Sequence, residues 1–313
     1  MKKIFLGMVG YSIAAVLVLP FLVTLCCNGF AEPAQKEALY GVENLAETEK
    51  TQGAVQAFSS EMEEYVVGVV AAEMPAAFPA EALKAQAVAA RTYQIQQQKA
   101  AGSDEILYDV GQAYCTVEEQ KAKWGANYAV YAQKIRHAVQ ETAGEIMVYD
   151  GEPILAVFHA QSSGRTESAE NIWSSALPYL KSVDSDGDRN APNYETTVRL
   201  PAKEVLSALC GKKTDAAAEI RILRRTDVGT VAEVQIGRTL LSGREVRERL
   251  GLRSANFTVK REGDTFLFTT YGYGHGAGMS QYGAAFLAEN GKTYREILKH
   301  YYTGITFRKI TPA

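Results

Sequence analysis

Glu73 closes the run YVVGVVAAEMP, Tyr65 to Pro75, with Ala71, Ala72, Met74 and Phe78 around it. A carboxyl in apolar surroundings resists ionisation, so its pKa rises and it can donate a proton near neutral pH. A helix-end residue facing solvent is the bland alternative, and the residues alone leave both open. Far downstream, Tyr271 to Gly283 reads YGYGHGAGMSQYG. Glycine holds every second position from Gly272 to Gly278, with Tyr273, His275, Ala277 and Met279 between. Glycine permits positive φ and close approach of a backbone or ligand, and it weakens any strand or helix it occupies. Four such costs around one histidine fit a pocket-lining loop that presents His275. A tight structural turn with a buried histidine fits equally well. Between the two motifs lies FHAQSSGRTE, Phe158 to Glu167, whose Ser162-Ser163-Gly164 triplet places hydroxyls on a bend.

These residues need elements to position them. Ser60 with Glu63 forms a candidate capping box for a helix leading to Glu73. Pro75 stops that helix, and Pro79 suits the first turn of the next. The spacing predicts the second helix over about Ala80 to Gln98. Lys84, Val88, Arg91 and Ile95 fall on one face, with Gln86, Ala90 and Tyr93 beside them. Glu81 falls in the first turn, where it complements the helix dipole. Thr116 with Glu119 caps a short helix ending near Gly125, and Asn127 heads another closed by Gly144. Residues 145–149 and 153–159 read as a hairpin around Asp150-Gly151. Pro201 to Cys210 reads as a helix followed by Gly211, and 220–223 with 231–236 as paired strands. Ser242 and Glu245 cap a further helix ended by Gly251. A hairpin of 257–261 and 265–271 delivers the chain into the glycine loop. Helices over 280–290 and 294–302 follow. Helices mixed with antiparallel hairpins indicate an α+β domain.

Three blocks in order, EMPAAFPAEALKAQAVAARTY, FHAQSSGRTE and GYGHGAGMSQYG, resemble the stage II sporulation protein D (SpoIID) family. The resemblance covers about Glu61 to Thr306. It implies a membrane-anchored lytic transglycosylase of the spore-forming bacterial cell wall, active during engulfment of the forespore. It further implies that Glu73 is the catalytic acid and that helices and hairpins surround a glycan-binding groove. The expected substrate is the MurNAc-GlcNAc strand stripped of peptides; the expected partners are the engulfment amidase and its membrane scaffold. Amidase-enhancer proteins carry a related domain, so a non-catalytic peptidoglycan-binding module is the alternative.

Glycosidic cleavage needs an acid at the leaving oxygen and stabilisation of an oxocarbenium-like transition state. A lytic transglycosylase manages with one carboxyl, because the muramic C6 hydroxyl attacks and leaves a 1,6-anhydro end. Lys84 and Arg91 are candidates for the lactyl or peptide carboxylates, against solvated helix charges as the ordinary reading. Gln86 and Tyr93 are candidates for sugar hydroxyls, against core packing. His159, Ser162, Ser163, Gly164 and Thr166 are expected to position glycan, since no nucleophile elbow supports serine catalysis. From the third block, Tyr273, His275, Gly276, Gln281 and Tyr282 complete the expected substrate site, with the loop facing Glu73 across the groove. Trp173, Tyr179 and Tyr194 are of types that stack on sugars, though core or rim packing is commoner. His137 and His300 read as structural or exposed.

The 313-residue chain is long enough for a substantial core, and its net charge of −3 gives no argument for nucleic-acid binding. Ile4 to Cys27 carries no charge and as a helix spans roughly 36 Å, enough for a bilayer. Lys2 and Lys3 precede it, so an uncleaved anchor with the domain outside is expected over a cleaved signal peptide. The expected organisation is therefore tip and transmembrane anchor 1–27, linker 28–57 and SpoIID-type domain 58–313, with a small lobe near 202–252. Cys115 and Cys210 read as two thiols rather than a disulfide. No cofactor is expected. Some members of the resembled family carry a Cys/His segment suited to zinc before a C-Q-A-Y sequence. Here Gly111 stands where that cysteine would be, so no metal site is expected.

Overall fold

The computed structural model describes residues 61–108, 110–173, 175–211 and 217–310. The expected anchor, the linker and the Ser60 cap lie outside these residues. Among the described residues no helix is long and apolar enough to cross a membrane.

The first core is built on two helices, α1 (Glu61–Glu73) and α2 (Ala80–Ala101). Val66, Val67, Val69 and Val70 of α1 are buried, as are Ala82, Ala85, Ala87, Ala89 and Ala90 of α2. The small side chains of α2 let other elements approach from several sides. α3 (Val117–Trp124) carries the Thr116–Glu119 capping box, and α4 (Tyr128–Glu141) follows. β1 (Glu145–Tyr149) turns at Asp150 and Gly151, both at positive φ, into a short β2 (Glu152–Pro153).

The predicted strand over 153–159 is not continuous. Ile154 and Ala156 are buried in the core, and the chain regains extended pairing only at β3 (Phe158–His159). After α5 (Ala169–Trp173) the chain enters a second core. β4 (Glu195–Pro201), α6 (Ala202–Cys210), β5 (Ile220–Arg225), β6 (Val231–Ile236) and β7 (Thr239–Leu241) lead to α7 (Gly243–Leu250). The Ser242–Glu245 capping box is present. β8 (Phe257–Glu262) and β9 (Thr265–Tyr271) form the expected hairpin, and β9 also pairs with β4. Phe257, Phe266 and Phe268 join Val205, Leu206, Val234 and Val246 in this core.

β10 (Met279–Ser280) follows the glycine loop and pairs in parallel with β3. α8 (Gln281–Glu289), α9 (Tyr294–Tyr301) and β11 (Thr306–Lys309) return to the first core, where β11 pairs antiparallel with β1. The architecture is mixed α+β with antiparallel sheets, as expected, and β3 with β10 adds a short parallel pair. Cys115 is buried, Cys210 is half-buried, and both are free thiols.

Candidate active site

Glu73 is the last residue of α1, where Pro75 ends the helix. The run 110–115 lies against this helix. Ala113 N–H donates to Glu73 Oε1 at 2.6 Å, and Cys115 N–H donates to Gly68 O at 3.1 Å. The Tyr93 hydroxyl fixes the same run by donating to Val110 O at 2.7 Å. Lys123 of α3 donates to Ala71 O at 3.0 Å, which sets its charge near Glu73. Glu73 keeps some exposed surface, yet close packing dominates its electrostatics. Burial pushes the carboxyl up to about 7, while the Ala113 N–H and the Lys123 charge work in the opposite direction. Its hydrogen bond to Ala113 and its close packing distinguish Glu73 from a fully solvated helix-end residue.

The glycine loop touches the Glu73 segment through its tail. Tyr282 packs edge-on against Phe78 with centroids 5.0 Å apart, and Gln281 Nε2 donates to Gln86 Oε1 at 3.2 Å. His275 packs elsewhere, 5.5 Å from the rings of both His159 and Trp173. Its Nδ1 accepts from Ala277 N–H at 3.1 Å. Burial lowers its pKa to about 3, with His159 and Arg247 adding repulsion and a Phe158 backbone hydrogen bond opposing. His159 is lowered to about 4, chiefly by burial, and its Nδ1 lies 3.0 Å from Ala277 O. Both rings are neutral at physiological pH. His275 lines a cleft with Ser162, Ser163, Glu167, Asn256 and Gly276.

The alternating glycines have a folding reason after all. A Cβ on Gly272 would lie 2.7 Å from the carbonyl oxygens of both Gln161 and Ser162. One on Gly278 would collide with Val157 O, and its φ is +70°. The loop is threaded against 157–162, so close approach of backbone to backbone accounts for these residues. Gly278→Ala should cost about 2–5 kcal/mol through left-handed strain and overpacking, read as a lower melting temperature. Unchanged melting would show that 157–162 yields easily.

Several expected substrate contacts are structural. Arg91 is fully buried; its Nε and Nη2 donate to Glu63 at 2.8 and 2.5 Å, and its Nη1 donates to Glu145 O at 3.0 Å. No sugar reaches it. Lys84 pairs with both Glu81 and Glu141 at 2.7 Å, joining α2 to α4. Gln86 is fully buried, and the Tyr93 hydroxyl is committed to Val110. Ser162 accepts from Gly164 N–H at 3.1 Å, and Thr166 Oγ1 accepts from Val183 N–H at 3.0 Å, so both hydroxyls serve the bend. Gly164 is at φ +101° with Arg189 against it. Tyr273 is half-buried under the Arg253 guanidinium, 4.1 Å from its ring. Among the described residues no three His, Cys, Asp or Glu side chains gather to hold a metal ion.

A stage II sporulation protein family model matches residues 46–149. Stage II sporulation protein D of Bacillus subtilis (strain 168) is 46% identical over 250 residues, covering 78% of this chain and 73% of that protein. The chain belongs to the stage II sporulation protein D family. Its Bacillus amyloliquefaciens member is 45% identical over 251 residues, with the same coverage of each. The amidase enhancer of Bacillus subtilis (strain 168) is 30% identical over 293 residues, covering 76% of this chain and 39% of that protein.

Two residues that position this family's motifs here escaped the sequence reading. Asp188 is fully buried and accepts from Ser162 N–H at 2.8 Å and from the Ser280 hydroxyl at 2.6 Å. It ties the serine bend to the N-cap of α8. Burial raises its pKa, against hydrogen bonds from Ser162, Ser280 and Ser185. Its setting in DSDGDRN reads as a solvated turn, and only the tertiary structure removes it from water. Lys123 likewise sits on an ordinary capped helix with no local sign of its target.

Proposed function

We propose that this chain is a lytic transglycosylase that cleaves peptide-denuded MurNAc-GlcNAc strands in the wall of a sporulating cell. The observation that carries this reading is a single carboxyl, Glu73, held protonated to about pH 7 beside one backbone donor and one lysine. Protonated Glu73 gives its proton to the bridging oxygen as the muramic C1–O bond breaks. The C6 oxygen then bonds to C1, and its proton passes to the Glu73 carboxylate. Proton and bond counts close without water, and the acid is regenerated. Ala113 N–H and the Lys123 charge favour the carboxylate at the moment it forms. Membership of a family named for a sporulation protein supports the cellular setting.

The similarity to an amidase enhancer favours a second reading, a glycan-binding module that stimulates a wall amidase without cutting. Both readings include the engulfment amidase and a membrane scaffold as partners, and attachment through the apolar N-terminal segment with the domain outside. Purified residues 32–313 incubated with denuded glycan decide between them. Mass spectrometry should find 1,6-anhydro-muramic ends. Reducing ends would mean hydrolysis, and intact strands would leave the binding module. Recovery of the mature chain in the soluble fraction, beginning near Glu32, would exclude the anchor.

A further inference from the structure

Two exposed tyrosines stand at and beside the run that caps Glu73. Tyr114 directly follows Ala113, the residue that donates to Glu73, and is 37% exposed. Tyr108, on the same side, is 49% exposed. Their arrangement is built. One face of Tyr114 lies nearly parallel to buried Tyr65, at 11° and 5.7 Å between centroids. Tyr108 stands edge-on to both, at 82° and 5.4 Å from Tyr65 and at 89° and 5.2 Å from Tyr114. Beneath them Gly68 supplies the space, since a Cβ there would collide with the Tyr114 ring. Tyr65 is itself held by Gln112 Nε2, which donates to its hydroxyl at 3.4 Å.

An aromatic corner with two partly exposed rings therefore stands along the helix that ends at the acid. Gly68 and Glu73 are five residues apart on one helix, about 7.5 Å along its axis, within the reach of a disaccharide. Exposure of two large rings costs hydration unless something covers them, and among the described residues both stay exposed. A pyranose ring offers an apolar C–H face of the right kind, and aromatic side chains with a polar tip suit such half-wet contacts. The neighbouring acid acts on a bond between two pyranoses. We infer that Tyr108 and Tyr114 form a stacking subsite for the sugar ring next to the scissile bond. The inference rests on the glycan reading above and deepens it.

The test uses binding by a non-cutting protein. Denuded glycan is titrated against Glu73→Gln alone, and against Glu73→Gln combined with Tyr108→Ala, Tyr114→Ala or Tyr114→Phe. Loss of either ring should weaken binding about three- to tenfold, while Tyr114→Phe keeps most of it. In the otherwise native enzyme Tyr108→Ala should raise KM with kcat little changed, because the ring binds ground state and transition state alike. Half-exposed Tyr108 can be removed without emptying the core, so a folding defect in Tyr114→Ala does not spoil the comparison. Equal binding by Glu73→Gln with and without Tyr108→Ala overturns the subsite and leaves the glycan reading standing. No binding by Glu73→Gln at any glycan concentration overturns both.

Discussion

Glu73→Gln is expected to abolish glycan cutting, by about 10²- to 10⁴-fold in rate, while the strand still binds. Glutamine matches the size of glutamate and still accepts from Ala113 N–H, but it has no proton to give. The pH profile carries the same assignment. The donor must be protonated, so turnover should fall with rising pH above about 7. Lys123→Met removes the charge that opposes the upward shift and should move that limb to higher pH. Stability follows with a defined sign. Between its ordinary 4.5 and about 7, the folded chain holds a proton that the unfolded chain has released. Native stability therefore declines as pH rises through that window, by roughly 3 kcal/mol in total. The variant lacks this slope and should be no less stable than the native protein at pH 8. Near-native turnover by the folded variant would remove Glu73 from the mechanism.

Arg91→Ala should be the most destabilising change in the first core, at about 3–5 kcal/mol. Glu63 lies at 7% exposure with its carboxylate facing Arg91 and Gly144 N–H, the latter at 3.0 Å. Removing the guanidinium strands that charge in the interior and frees the Glu145 carbonyl it also holds. A domain of this size loses about 2–4 °C per kcal/mol, so the melting temperature should fall by roughly 6–20 °C. Replacing both partners, as Glu63→Leu with Arg91→Met, should restore most of it, since the pair's attraction mainly offsets its own desolvation. An Arg91→Ala protein with native melting and a raised KM would return this residue to the substrate site.

Arg91 shows where reading the chain runs short. Its place in a matching motif pointed to substrate, but its partner Glu63 is one helix away and invisible to local spacing. What was legible was local. The boxes at Thr116–Glu119 and Ser242–Glu245, the Asp150-Gly151 turn and the 257–271 hairpin each depend on neighbours within a few residues. The apolar setting of Glu73 was legible for the same reason, because Ala71, Ala72 and Met74 adjoin it. The strand at Glu195–Pro201 was missed, since its partner in β9 lies seventy residues on and its side chains alternate only between exposed and half-buried. Two unusual motifs invite an expectation of convergence, with His275 across from Glu73. The segments that carry them meet at Gln281 and Tyr282, through Gln86 and Phe78.

The seam between the glycine loop and 157–162 bears on how any saturation-mutagenesis map of this chain should be read. Gly272, Gly274 and Gly278 will score as intolerant whether or not a ligand ever visits the loop, because each side chain added there meets the opposite segment first. Only positions with room to vary can report on function. Gly276 has space around it, but at φ +89° any side chain there is strained, so the half-exposed Tyr273 and His275 are the informative sites. Intolerance at the other three measures how the loop packs on 157–162, and a selection for activity alone would mistake a seam of the fold for a hand on the substrate.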